Sequence, residues 1–313
     1  MWLDTHCHLS APEFANDCGA VWLSAREAGV RGALLPAVDL DDCAAVAGLV
    51  AQMPGCFPAY GIHPLFVATA GEEGEALNRL TEWLEQKPPI AIGEIGLDGM
   101  SREGDWALQE RFFLAQLKLA RKYDLPVVLH VRRAVDRVLR GLRQVRVRGG
   151  IAHAFNGSFE QAKVFLKLGF KFGFGGSLTY PGSRRIRALA AELPLEAIVL
   201  ETDAPDIPPV WLSEVRDQGS GVRSQMSGIR DQSPLQGEGR DGVQGSYVRG
   251  QSDAQDISSV WLSRSVEKPR NTPTELPKIG KALADLRGLS VETVACQTAA
   301  NARSVLPGFA GTE

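Results

Sequence analysis

A (β/α)8 barrel of the TIM type is the fold this sequence predicts, and three observations predict it. Eight short apolar runs rich in β-branched residues alternate with amphipathic stretches, the pattern of parallel βαβ units. The length, 313 residues, suits a barrel built as one domain. The polar residues that interrupt the apolar runs cluster at their C-terminal ends, and in a closed barrel those ends converge on one mouth. An open doubly wound sheet would spread the same groups too far apart to act together.

The expected strands, in order, are "MWLDTH" (1–6), "RGALLPA" (31–37), "CFPAYGI" (56–62), "PIAIGEIGL" (89–97), "LPVVLHV" (125–131), "GIAHAF" (150–155), "FKFGFGG" (170–176) and "AIVLETD" (197–203). Helical patterns lie between them. In 106–124, Leu108, Phe112, Ala115, Leu119 and Tyr123 recur at spacings of four, three, four and four, which marks one helical face. Residues 1–313 thus read as a single barrel domain, interrupted by one segment that does not belong to it.

That segment, 214–255, is dominated by Gly, Ser, Gln, Arg and Asp, with Tyr247 its only aromatic. It holds a near-repeat, "VRDQGSG", "VRSQMSG" and "IRDQSPL", whose Gly and Ser at core positions exclude a coiled coil. Such a composition cannot bury enough apolar surface to offset chain entropy, so a disordered insertion is expected. "DIPPVWLS" (206–213) returns as "DISSVWLS" (256–263), as an insertion that duplicated its target would leave behind. Long surface insertions cost little stability by loop closure, so the fold is expected to survive it. Its position beside the mouth puts activity more at risk.

Bulk properties narrow the function. The 44% hydrophobic content is enough for a full core, and no apolar run approaches the roughly 18 residues of a membrane span. There is no secretory pattern at the N-terminus, and Cys7, Cys18, Cys43, Cys56 and Cys296 form no C-x-x-C pair. A reduced, cytoplasmic setting is expected, with no membrane and no obligate protein partner. A net charge of −3 gives no broad electrostatic footprint for nucleic acid, so any phosphate attraction must be local.

The chemistry lies in the strand ends. In "DTHCHL", His6 and His8 are two residues apart and face the same side of a strand, with Cys7 turned away. Two neutral imidazoles on one side suit a divalent transition metal, although two structural histidines would produce the same pattern. All five histidines, His6, His8, His63, His130 and His153, fall at ends of expected strands, as do Glu94 and Asp203. Such groups ending apolar strands are costly unless paired or bound to metal, so a shared metal site at the mouth is expected.

The ordered series "DTHCHL", "GIHP", "AIGEIGLD", "LPVVLHVRRA", "HAFNGS", "LETDAP" and "RNTP" resembles the TatD family of metal-dependent deoxyribonucleases, within the amidohydrolase-like barrels. "GGSLTYP" and "LETDAPDIPP" resemble its YjjV branch most. The resemblance runs through 1–213 and resumes near 269–306. It implies two divalent cations per chain: His6, His8 and Asp203 on the first, Glu94 bridging both, and His130 with His153 on the second. It further implies DNA as the substrate, bound at the mouth and attacked from the ends of single strands. Asp203 is then either a ligand alone or also the acceptor of the attacking water's proton, which makes Asp203 and Glu94 the catalytic candidates.

Substrate contacts are expected from three residues. His63 could hydrogen-bond a phosphate oxygen or merely cap a turn. Arg132 could grip a phosphate or form a salt bridge at the mouth. Asn156 offers a polar side chain near the second cation, though an ordinary turn would also explain it. Where family members commonly carry an aromatic after "GLD", this chain has Gly99. Mixed His and carboxylate donors suit zinc, manganese or iron, whereas magnesium usually prefers oxygen. Two alternatives stay open: an amide, lactone or phosphotriester hydrolase, and a non-catalytic metal-binding barrel silenced by the insertion. Many relatives with the former chemistry bridge their metals through a carboxylated lysine on the fourth strand, where this chain has Glu94.

Overall fold

The computed structural model describes residues 1–100, 106–213 and 269–309, so the stretch 214–255 expected to be disordered lies outside the described residues. The described residues on either side of that gap belong to one compact unit. Eight parallel strands follow one another in sequence order around a single sheet: β1 (Trp2–Asp4), β2 (Val30–Pro36), β3 (Cys56–Tyr60), β4 (Ala91–Asp98), β5 (Val127–Arg132), β6 (Gly150–Ala152), β7 (Phe170–Phe174) and β8 (Ile198–Leu200). The seam between β8 and β1 is held by Thr5 N–H donating to the Leu200 carbonyl at 3.0 Å and Asp203 N–H donating to the His6 carbonyl at 2.9 Å. The sheet therefore curls into a TIM barrel.

Helices α1 (Cys18–Glu27), α2 (Leu40–Gln52), α3 (Glu73–Gln86), α4 (Trp106–Lys122), α5 (Val135–Gln144), α6 (Phe159–Lys167) and α7 (Arg184–Glu192) follow the strands, and α8 (Leu276–Arg287) and α9 (Val291–Val305) complete the described chain. Local chemistry sets several of their starts. The Asp39 carboxylate caps α2 by accepting from Asp41 N–H at 3.0 Å and Asp42 N–H at 2.8 Å. Ser158 and Gln161 form a reciprocal capping box at α6.

Alternation along the strands sorts side chains into two apolar layers. Trp2, Ala33, Leu35, Val127, Leu129, Ile198 and Leu200 pack outward against the helices. Leu3, Leu34, Ala59, Ala91, Val128, Ile151 and Val199 point into the lumen, where Ala299, Ala302, Val305, Leu306 and Phe309 of α9 and the turn after it pack with them and close the N-terminal end. β7 contributes Gly173 at the level of Val199, its partner across the β7–β8 ladder.

The buried stripe of α4 differs from the periodicity read in the sequence. Phe112 is buried, but Leu108, Ala115, Leu119 and Tyr123 lie at the margin; the buried face runs through Gln109, Phe112, Phe113, Gln116, Leu117 and Ala120. Two polar residues hold that face because each closes a pair of hydrogen bonds on the barrel backbone. Gln109 accepts from Asp98 N–H at 2.9 Å and donates to the Asp98 carbonyl at 3.3 Å. Gln116 does the same for Ile62, at 2.7 and 3.1 Å. Buried amides satisfied in this way cost little, and here they anchor the backbone beside His63 and at Asp98.

Candidate metal centre at the barrel mouth

Three strands deliver their site residues by regular alternation and two do so by breaking it. Two residues beyond the lumenal Val128 stands His130; two beyond Ile151 stands His153; two and four beyond Val199 stand Glu201 and Asp203. On β1, counting by twos from Leu3 would turn His6 and His8 outward. The chain bends at Thr5 instead, so Cys7 enters the outer core and the two imidazoles face in. On β4 the register against β5 shifts between Ile92 and Ile95, which brings Glu94 inward while Ile92 and Ile95 both stay in the outer layer. Gly96 follows at φ 149°, where a Cβ would overlap the His130 carbonyl.

The two oxygens of Glu94 divide the donors between them. Oε2 lies 3.1 Å from His6 Nε2 and 3.6 Å from His8 Nε2, and Asp203 Oδ1 is 3.6 Å from each of those nitrogens. The two nitrogens are 3.0 Å apart. Donors placed tetrahedrally at about 2.1 Å from one cation sit about 3.4 Å from each other, which is the spacing of this set. Oε1 faces a second group: His130 Nδ1 at 2.8 Å, His63 Nε2 at 3.6 Å and His153 Nε2 at 3.7 Å. His6, His8 and Asp203 thus form one candidate metal triad; His63, Glu94 and His130 form another, and His153 joins His6 and Glu94 in a third. The donor chemistry and spacing fit divalent cations, with Glu94 shared between two sets.

Further groups fix the orientation of these donors. His8 Nδ1 donates to the Pro36 carbonyl at 3.1 Å, which leaves its Nε2 lone pair facing the site. His130 Nε2 is 3.0 Å from Asp98 Oδ2. His153 Nδ1 is 3.3 Å from Glu201 Oε1, which accepts from Ala154 N–H at 2.7 Å. A Cβ on Gly173 would overlap the Glu201 carboxylate, so the glycine makes room for it. Asp4 accepts from His6 N–H at 3.2 Å and from the Thr202 amide and hydroxyl at 3.0 and 2.6 Å. Asn271, fully buried, donates through Nδ2 to the carbonyls of Thr202 at 2.8 Å, Asp206 at 2.9 Å and Ile207 at 3.3 Å, clamping the loop that carries Asp203. Asp203 itself holds φ at 57°, a left-handed conformation that this loop must sustain.

Asp4, Asp98, Glu201 and Asn271 are functional-site residues that the sequence reading missed. Two of them carried a usable signal: Asp98 follows Glu94 by four and Glu201 precedes Asp203 by two, so each shares a strand face with a donor already identified, whereas the bend at Thr5 separates Asp4 from the face of His6. Of the expected substrate contacts, His63 is buried beside Glu94, Arg132 lies with Nη1 4.0 Å from Asp98 Oδ2 and a side chain one-third exposed at 33%, and Asn156 is exposed on the loop after β6. At Gly99 a Cβ would crowd the Arg133 carbonyl at 2.8 Å and Trp106 at 3.2 Å.

The electrostatics are those of a site built around positive charge. Burial works against the charge on Glu94, yet His6, His63 and His153 outweigh it and hold the carboxyl well below its usual range. Burial pushes Asp203 up to about 6 and Asp4 up to about 7. Burial, aided by His153, holds His6 well below the usual imidazole value, and burial with the neighbouring His130 brings His63 down to about 3. Burial also disfavours charge on His153, but Asp203, Glu201 and Glu94 overcome it and raise it to about 10. Carboxylates gathered this densely in a buried pocket call for cations.

Comparison with known proteins agrees with this geometry. The family described as TatD related DNase matches residues 3–307. Among curated proteins, the uncharacterized metal-dependent hydrolase YjjV of Escherichia coli is 39% identical over 210 residues, 66% of this chain and 80% of that protein. The 3'-5' ssDNA/RNA exonuclease TatD of Yersinia pseudotuberculosis is 34% identical over 212 residues, again 66% of this chain and 80% of that one. The crystal structure of the E. coli YjjV TatD homolog superposes with a TM-score of 0.76 and 29% identity over 98% of each chain. A TatD-family hydrolase from Entamoeba histolytica shares the fold, with a TM-score of 0.72 at 18% identity. The barrel, its mouth of histidines and carboxylates and these relatives together make this chain a member of the TatD family of metal-dependent hydrolases.

Proposed function

We propose that this chain hydrolyses phosphodiester bonds in DNA, working from the ends of single strands, with two divalent cations at the barrel mouth. The observation that carries the reading is the division of Glu94, whose Oε2 faces His6 and His8 while Oε1 faces His130, His63 and His153. His6, His8 and Asp203 would hold one cation, His130 and His153 the other, with Glu94 between. When bound, such a pair supplies charge that draws in a phosphodiester and acidifies water.

The chain's own residues do the rest. Asp203 accepts the proton of the attacking water on a carboxylate oxygen, while the new bond forms at phosphorus and the bond to the departing strand breaks. Arg132 and Asn156 border the mouth and contact phosphate oxygens. Asp98 and Glu201 keep His130 and His153 turned toward Glu94. The Yersinia relative, a 3'-5' ssDNA/RNA exonuclease, supports a nucleic-acid substrate. Among the described residues no helix is long and apolar enough to cross a membrane, in keeping with a cytoplasmic enzyme. The chain acts as one barrel domain interrupted at 214–255.

The test is an oligonucleotide assay on metal-stripped protein reloaded with zinc, manganese or magnesium, run beside duplex DNA, RNA and a panel of esters and lactones. Shortening of a single-stranded DNA substrate that depends on added metal is expected, and Glu94→Gln abolishes it. Metal-dependent turnover of a lactone or ester with no cleavage of any oligonucleotide overturns the nuclease reading. Excision of 214–263, compared in the same assay, shows whether that segment restrains activity.

A further inference from the structure

His63 belongs to a candidate metal triad by distance, but its hydrogen bonding sets it apart from the other histidines of the site. The outer ring nitrogens of three of them face groups that only accept. His8 Nδ1 faces the Pro36 carbonyl, His153 Nδ1 the Glu201 carboxylate, and His130 lies between the carboxylates of Glu94 and Asp98. Each of these rings can keep a proton on its outer nitrogen and turn a lone pair inward. His6 Nδ1 and His153 Nδ1 are both buried with no hydrogen bond formed among the described residues, although the Glu201 carboxylate lies 3.3 Å from the latter.

His63 is wired the other way. Its Nδ1 accepts the Leu65 N–H at 3.1 Å, so that nitrogen carries no proton and the ring is neutral. The proton therefore sits on Nε2, which points into the site 3.6 Å from Glu94 Oε1, too far for a direct hydrogen bond. A protonated nitrogen has no lone pair to give a cation. The arrangement is stiffly built: His63 N–H donates to the Val38 carbonyl at 2.9 Å, Phe66 N–H donates to the His63 carbonyl at 2.9 Å, and Gln116 anchors the neighbouring Ile62 unit. Pro64, which has no N–H, leaves the Leu65 amide as the donor that selects this tautomer.

We propose that His63 is a neutral Nε2–H donor that hydrogen-bonds a phosphoryl oxygen at the mouth and is not a metal ligand. The assignment rests on the phosphodiester reading for the identity of the acceptor, and it deepens that reading by giving one histidine a different task from its neighbours. An oriented N–H donor in a water-poor pocket is placed to stabilise charge that grows on a phosphoryl oxygen as the bond breaks.

Three measurements on the full chain test it, and none uses DNA cleavage. In the zinc-loaded protein, 15N NMR of His63 should show a protonated Nε2 and an unprotonated Nδ1. His63→Phe should bind as many equivalents of zinc as the wild type. It should also bind inorganic phosphate about tenfold or more weakly by calorimetry, with His63→Gln recovering part of the loss through its amide N–H. A protonated Nδ1, a lost equivalent of zinc, or phosphate affinity unchanged in His63→Phe each overturns the assignment. If His63→Phe fails to fold, the NMR measurement on the wild type decides alone. Failure to cut oligonucleotides would strike the nuclease reading and leave these three outcomes standing.

Discussion

The two ends of the barrel are made by the same strands and obey opposite rules. At the N-terminal end, Leu3, Leu34, Ala59, Ala91, Val128, Ile151 and Val199 fill the lumen with apolar volume, and Phe309 caps it, its ring 5.0 Å from that of Phe57. At the mouth, two residues further along β5 and β6, the same lumen holds His130 and His153, with Glu94, Asp203 and Glu201 around them. Burial stabilises the first end and strains the second, because apolar side chains gain on leaving water while carboxylates and imidazoles lose. The mouth is tolerated because the apolar end, the outer layer and the buried hydrogen bonds hold it in place.

Mutations can break this division from either side. Glu94→Gln gives the largest effect: removing the shared carboxylate should abolish binding of both cations and lower metal-dependent hydrolysis by about a thousandfold or more. The barrel should remain folded by circular dichroism. Phe309→Ala acts at the other end and should lower stability by about 3–5 kcal/mol in urea unfolding, through lost burial and the cavity left behind. Zinc bound per folded molecule should stay at the wild-type value. If Phe309→Ala empties the metal site in folded protein, the two ends are not independent.

Asn271→Ala sharpens the comparison, since Asn271 offers the mouth no charge or metal donor and supports it only by bracing the loop of Asp203. Removing its donors leaves buried carbonyls unpaired, a cost of about 1–3 kcal/mol. It should also weaken binding of the cation proposed at His6, His8 and Asp203 by about 10- to 100-fold while sparing the other, as losses among supporting partners do elsewhere. Calorimetric zinc titration separates the two sites. The smallest effect comes from Cys43 in the outer layer. Burial first, then Asp42, pushes its thiol up to about 12. Above about pH 9 the unfolded thiol loses its proton while the folded one keeps it, so stability falls as pH rises toward 12. Cys43→Ala should flatten that decline in alkaline unfolding curves; an unchanged slope would show that the thiol does not contribute.

Much of this site could be read before any coordinates, and the reason is local. Strand periodicity places His130 and His153 on the lumenal face, and the chain's five histidines leave few other candidates. The same alternation would have added Asp98, four residues beyond Glu94, and Glu201, two before Asp203, but not Asp4, which the bend at Thr5 separates from His6. The helical period misleads on α4, where the apolar pattern picks the margin of the helix because Gln109 and Gln116 occupy the buried stripe. A glutamine is acceptable there only when a backbone N–H and C=O stand opposite, and nothing in the local sequence announces them.

The sequence by itself determined the number and direction of the strands, the apolar lumen and which histidines and carboxylates stand near strand ends, because these depend on short-range patterning and side-chain chemistry. Only the tertiary structure decided which oxygen of Glu94 serves which histidines, that Asn271 reaches back to brace Asp203, and that His63 turns a proton rather than a lone pair into the site. Those decisions rest on a bend at Thr5, a register shift between Ile92 and Ile95 and hydrogen bonds between residues far apart in the chain. Each depends on distances that exist only once the barrel has closed.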